Sequence, residues 1–165
     1  MKAISSMRYN SCQWRFGIVL WISVLVQGAV FAQSNLPINS KAEEWVKKQL
    51  SQGLAADLRD PFPNEGDRIL GAAFIEKIFS PDSGEIPNRY SAFFIRHATI
   101  RGTLDLRETH FSRAIVFKDC LFEGMVILFD CSFARGLTLE NNTFFQEVDL
   151  HGIRTEKDLS LRNSL

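Results

Sequence analysis

From Leu104 onward the chain repeats every eleven residues, and this period constrains its fold more than any other feature. Cut at that period, the sequence reads LDLRETHFSRA, IVFKDCLFEGM, VILFDCSFARG, LTLENNTFFQE, VDLHGIRTEKD and LSLRNSL. Position one is Leu104, Ile115, Val126, Leu137, Val148 and Leu159, and position three is Leu106, Phe117, Leu128, Leu139, Leu150 and Leu161. Position eight is Phe111, Phe122, Phe133 and Phe144 before Thr155 ends the run; position six is Thr109, Cys120, Cys131 and Asn142 before Ile153. An eleven-residue apolar period also occurs in right-handed coiled coils. Here, however, apolar residues rich in β-branched and aromatic types alternate at i and i+2 with polar ones between, which is strand spacing.

Each eleven thus holds two short strand units, an apolar-x-apolar and a small-x-Phe, separated alternately by five and six residues. This pattern resembles the pentapeptide-repeat family, whose unit A-(D/N)-L-x-x points a large central residue and a small one two before it into a solenoid. The matching pairs run from Phe93/Ile95 and Ala98/Ile100 to Leu159/Leu161. The extra residue in alternate units departs from the family, as do Leu, Ile or Val where Ala is usual. The resemblance implies a mainly β fold: a right-handed quadrilateral β-helix of about three coils, with 22 residues per coil. Inward residues then sort into four columns: Ile95, Phe117, Leu139, Leu161; Ile100, Phe122, Phe144; Leu106, Leu128, Leu150; and Phe111, Phe133, Thr155. The Phe-bearing columns are accompanied mostly by small partners, as a filled interior requires.

Two helices are expected before the repeats, closing the N-terminal end of a solenoid that would otherwise expose its interior and strand edges. From Ser40, SKAEEWVKKQLSQGL places Ala42, Trp45, Val46, Leu50 and Leu54 on one face, with Ser40 and Glu43 in a capping-box arrangement. A second helix is expected over Asp67 to Phe79, with Leu70, Ala73, Phe74 and Ile78 on one side and Ile69, Ile75 and Phe79 beside it. Pro61 and Pro63 separate the two; Pro81, Gly84 and Pro87 follow the second. The domain reading is 1–32 a signal peptide or uncleaved anchor, 33–92 a helical cap region and 93–165 a β-solenoid. No cap is legible at the C-terminal end, so either two molecules meet end to end or the chain is a truncated form of a longer one.

Residues 1–32 contain Lys2, Arg8 and Arg15, no acidic residue, and an apolar run from Phe16 to Ala32. A basic start, an apolar run and small residues at Val30 and Ala32 predict export, with cleavage between Ala32 and Gln33. Met7 is an alternative start. An uncleaved anchor over residues 16–32 is the rival, the run being at the lower limit for crossing a bilayer. Export predicts a periplasmic or secreted protein, or in the rival case a membrane-anchored one. The chain balances nineteen basic against nineteen acidic residues, and the processed chain would carry 16 against 19, which excludes a basic nucleic-acid binder.

The repeats carry no G-x-S-x-G, H-E-x-x-H, P-loop or C-x-x-C motif, so no catalytic, cofactor-binding or metal residue is predicted. Cys120 and Cys131 lie half a coil apart, on opposite interior walls and too far apart for a disulfide, so they are expected as free buried thiols. His97, His110 and His151 map to a corner and two different walls, each pointing outward, and cannot share a metal. Asp57 and Asp60 in AADLRD read as one isolated pentapeptide. Asn142 is the one polar residue expected inside the coil, where its amide must find backbone partners or a water. Asn141-Asn142-Thr143 matches a glycosylation sequon that a bacterial host would leave unused.

Val116, Leu121, Met125, Ile127, Phe129 and Phe145 are outward apolar residues of the central coils. They form either a partner surface or a wall over which the helices fold. The expected function is a non-catalytic exported scaffold that presents a rigid surface to a protein partner or to the envelope, with self-association end to end as a further expectation. The alternatives are an envelope-associated enzyme or accessory subunit with a site at the helix–solenoid junction, and, from the family resemblance, a DNA-mimic topoisomerase inhibitor.

Overall fold

The computed structural model describes residues 37–80, 84, 86 and 92–164; the expected signal with its cleavage point, and Pro81 and Pro87, lie outside the described residues. A helix α1 (Ser40–Ser51) is followed by a short strand β1 (Ala56–Asp57), a 3₁₀ turn (Glu65–Asp67), strand β2 (Ile69–Gly71) and helix α2 (Ala72–Phe79). Thirteen short strands follow, β3 to β15, and all strands fall into four parallel ladders. The first ladder is β1, β3 (Ala92–Arg96), β7 (Ala114–Lys118), β11 (Leu137–Glu140) and β15 (Leu159–Ser160). The second is β2, β4 (Thr99–Arg101), β8 (Leu121–Phe122) and β12 (Thr143–Phe144). The third is β5 (Leu104–Asp105), β9 (Val126–Ile127) and β13 (Val148–Asp149); the fourth is β6 (His110–Phe111), β10 (Ser132–Phe133) and β14 (Arg154–Thr155). The chain is a mainly β parallel solenoid of about three turns preceded by two helices.

From β3 onward each strand pairs with the residue 22 further on, for example Ile95 with Phe117 and Phe111 with Phe133, and the four expected columns stack in register. Ring centroids of Phe111 and Phe133 lie 4.9 Å apart, and those of Phe122 and Phe144 4.8 Å apart, nearly parallel in both pairs. That is the spacing of hydrogen-bonded strands, so aromatic stacking and ladder pairing impose one repeat distance. The bore between Leu104, Ile115, Phe122, Leu128, Phe133 and Leu139 retains a volume of about 10 Å³, room for no more than one water.

Corner residues explain the alternation of five and six. After each unit of the first and third ladders the chain turns through one residue in the left-handed region: His97, Asp119, Asn141 and Asn163 at one corner, Glu108, Asp130 and Gly152 at another, with φ between 51° and 71°. Asp, Asn, His and Gly tolerate that conformation best. Two of the longer corners hold a positive-φ glycine, Gly102 (φ 93°) and Gly136 (φ 98°).

The small residues do more than leave room. Asn142 Oδ1 accepts from Cys120 N (2.9 Å) while its Nδ2 donates to Phe117 O (3.0 Å). Ser164, one coil on, repeats both contacts with a single hydroxyl, accepting from Asn142 N (3.4 Å) and donating to Leu139 O (3.0 Å). Cys120 Sγ donates to Ile95 O at 3.6 Å, and Cys131 Sγ to Leu106 O at 2.8 Å. Each such side chain joins two coils.

The preface differs from expectation in three places. The cap of α1 is Asn39, whose side chain accepts from Lys41 N and Ala42 N; Glu43 instead accepts from Gly71 N at 2.9 Å. Only the last eight residues of the expected second helix are helical, because Ile69–Gly71 pairs with Thr99–Arg101 and satisfies the first edge of the second ladder. Ala73 is therefore exposed, and Leu54, beyond the end of α1, is 53% exposed. Third, AADLRD is not isolated: Ala56–Asp57 pairs with Ile95–Arg96 and buries Ala56 and Leu58.

Together β1, β2 and α2 close the N-terminal end. Phe79 stacks on Phe93 at 4.9 Å and contacts Phe111 and Phe117, plugging the bore, and Glu76 Oε1 accepts from Asp105 N (2.8 Å) at the edge of β5.

Candidate functional site

The densest polar cluster lies where β1 meets the first corner. The turn at His97 directs its imidazole under the β1 segment, leaving the side chain 8% exposed rather than out in solvent as expected. Nδ1 is 2.6 Å from Asp57 Oδ1, and Nε2 meets the Arg59 guanidinium and lies 3.5 Å from Asp119 Oδ2. In the tautomer whose Nδ1–H donates to Asp57, Nε2 is left to accept from the guanidinium, which only donates. Arg96 reaches Asp57 (3.7 Å) and Asp119 (3.4 Å) from the neighbouring position. Burial raises the Asp57 and Asp119 carboxyls. Hydrogen bonds outweigh it, chiefly from His97 for Asp57 and from Asn141 for Asp119, and with the nearby positive charge they hold both below the usual carboxylate value.

From Asp119 the cluster continues down the corner as a side-chain ladder: Asn141 Nδ2 donates to Asp119 Oδ1 (3.1 Å) and Asn163 Nδ2 to Asn141 Oδ1 (3.2 Å). Beside it runs a groove of about 410 Å³, between Arg59, Glu65 and Arg68 on one side and Thr99, Leu121 and Thr143 on the other. Arg68 is committed to structure, donating to Phe62 O and Pro63 O at 2.6 Å each. With both ring nitrogens of His97 engaged, the cluster pins the β1 segment to the solenoid. Sequence reading missed this constellation, although its signal is present: polar turn-formers recur 22 apart at 97, 119, 141 and 163.

The six outward apolar residues fall on three of the four ladders. Val116 sits between Phe94 and Thr138, Leu121 between Thr99 and Thr143, and Ile127 between Asp105 and Asp149. Met125, Ile127 and Phe129 follow each other at i, i+2 along the β9 segment and so share one wall. Phe129 stacks on His151 with centroids 5.7 Å apart. Val116 and Leu121 face other directions, and Leu121 lines the groove. Neither helix buries any of the six: five are half-buried and Phe145 is 46% exposed.

Charged side chains on the outer walls are matched from coil to coil: Arg101 with Glu123 (2.6 Å), Lys118 with Glu140 (3.0 Å) and, within one strand end, Arg107 with Asp105 (2.6 Å). The Arg107 hydrogen bond holds the Asp105 carboxyl low. His110 pairs with Ser132 Oγ (2.8 Å). Cys120 and Cys131 are buried free thiols, and burial pushes Cys120 up to about 12 and Cys131 up as well. Among the described residues no three His, Cys, Asp or Glu side chains could hold a metal ion, and no helix is long and apolar enough to cross a membrane. No protein-family model, curated protein or solved structure matches this chain.

Proposed function

We propose that this protein is an exported, non-catalytic repeat scaffold, a divergent pentapeptide-repeat solenoid of right-handed, quadrilateral form. Its third-ladder wall docks a protein or envelope partner. The observation carrying this reading is the division of labour on the outer walls. Charged residues pair with one another between coils, while Met125, Ile127 and Phe129 stay partly exposed in a row along one wall. A rigid parallel ladder presenting such a row needs no rearrangement to bind. The right-handed form follows from the rule for crossovers between parallel strands.

A photo-crosslinker placed at Ile127, and at Thr138 on the first ladder as control, tests it in an export-competent host. Crosslinks to a discrete partner from position 127 alone, on protein beginning at Gln33 in the soluble exported fraction, support the reading. Equal crosslinking from both positions, or none, overturns docking at that wall. Full-length protein recovered only in membranes replaces the secreted form with one anchored by residues 16–32.

The junction enzyme retains one observation in its favour, the His97–Asp57 pair beside a 410 Å³ groove. It requires Arg59 to leave Nε2, so Arg59→Ala should unmask activity if that reading is right and only loosen β1 if it is wrong.

A further inference from the structure

Charge pairing between coils, as of Arg101 with Glu123 and Lys118 with Glu140, does not extend to the third-ladder wall. Register places the row Met125, Ile127, Phe129 between Asp105 and Arg107 on one side and Glu147 and Asp149 on the other. Glu108 and Asp130 stand at the corner where the row ends. Five carboxylates therefore surround the row against one guanidinium. That guanidinium, on Arg107, is already bound to Asp105 at 2.6 Å, and the charges of Glu108 and Asp149 add to the hydrogen bond in raising it above its ordinary value. Glu108, Asp130 and Glu147 are exposed and make no ion pair among the described residues. The imidazole of His151 lies along the Phe129 ring. Other walls lack this acidic excess: the outward charged positions of the first ladder are Arg96, Lys118 and Glu140, and the fourth ladder sets His110, Ser132 and Arg154 in line.

Building on docking at this wall, we infer that its occupant is an amphipathic helix of a protein partner, apolar along one stripe and rich in Lys or Arg beside it. Dimensions select the helix. Residues two apart on a strand are spaced about 6.6 Å, and residues four apart on a helix about 6 Å along its axis. Three side chains of one apolar stripe thus meet Met125, Ile127 and Phe129 in turn. The neighbouring rows lie about 4.8 Å to either side, within the roughly 10 Å width of a helix. Lys or Arg beside the stripe then reaches Glu147 and Asp149 with its charge while its stem covers the apolar row. An extended segment could meet the same row, but it projects its remaining side chains away from the wall instead of sideways. An acidic or neutral helix would strip water from these carboxylates and return no counter-charge.

The probe is an acetylated and amidated peptide of about 15 residues, with Leu at i, i+4 and i+8, Lys on both sides of that stripe and Ala elsewhere. Its binding to the protein recovered from the export-competent host is read by fluorescence anisotropy. Dissociation on the order of 100 µM at low salt is expected from so small a contact, weakening about tenfold as salt rises to ~0.5 M. Ile127→Ser should weaken binding about tenfold or more. Glu147→Lys with Asp149→Asn should weaken it by about tenfold, and this pair keeps the side-chain oxygen that accepts from His151 N.

No binding at ~1 mM peptide overturns the inference. So does equal binding of a peptide with Glu in place of Lys, or with Ser in place of Leu, because the first removes the charge and the second the stripe. Binding that Ile127→Ser leaves unchanged puts the helix elsewhere and is equally fatal. The salt response and the peptide comparisons use the unaltered chain, so they stand whether or not a variant folds. None of these readouts involves a host partner, so crosslinking from position 127 can fail while the peptide binds, or succeed while it does not.

Discussion

Asn142 gives the sharpest test of how the coils are joined. It is 1% exposed, and its amide is shared between Cys120 N above it and Phe117 O across the corner. Asn142→Ala removes the bond to Phe117 O, worth about 1 kcal/mol net, and leaves the buried Cys120 N–H without its partner, a cost of about 1–3 kcal/mol. The expected loss is about 3 kcal/mol, or roughly a 10 °C drop in Tm for a domain of this size. Asn142→Ser should behave differently, because Ser164 occupies the equivalent place one coil on and both accepts from the N–H and donates to the carbonyl. Its loss should be about 1 kcal/mol. Urea denaturation of the three proteins, with midpoints compared at constant m, measures both values. If Ala and Ser are equally destabilising, the cost is cavity and not the missing acceptor; if Ala costs under about 0.5 kcal/mol, the Asn142 amide is not the joint we describe.

Phe79→Ala should destabilise by about 3–5 kcal/mol, since it unplugs the bore against Phe93, Phe111 and Phe117; thermal melting checks it. Gly124→Ala puts a Cβ 2.3 Å from Gly102 O, a backbone atom that cannot step aside, so a loss of about 2 kcal/mol or more is expected in the same assay. The Asp57 carboxyl lies below its ordinary value of 3.8 in the folded chain, so its stabilisation is complete above that pH and is lost as pH falls through the folded value. Asp57→Asn should accordingly flatten the acid limb of a stability–pH profile below about pH 4 and leave its neutral limb parallel to that of the unaltered chain.

The solenoid and its four columns were legible because coils that stack in register must resemble one another. Leu106, Leu128 and Leu150 occupy one environment three times over, and the eleven-residue period is the trace of that demand. Periodicity is silent where a coil meets something unlike itself. Ala56 pairs with Ile95 at a separation of 39 and Ile69 with Thr99 at 30, so neither β1 nor β2 keeps the 22-residue interval that reveals the other strands. Ile69–Gly71 reads as helix because its apolar residues continue the pattern of Ala72–Phe79. What overrides it is the row of donors and acceptors on Thr99–Arg101, which Ile69–Gly71 satisfies by pairing as a strand. The same requirement explains the junction cluster. Once β1 is drawn onto the first edge, Asp57 and Arg59 arrive over the left-handed corner at His97, and their charges must be matched there. An edge with no like coil to cover it is thus met by irregular sequence at the N-terminal end.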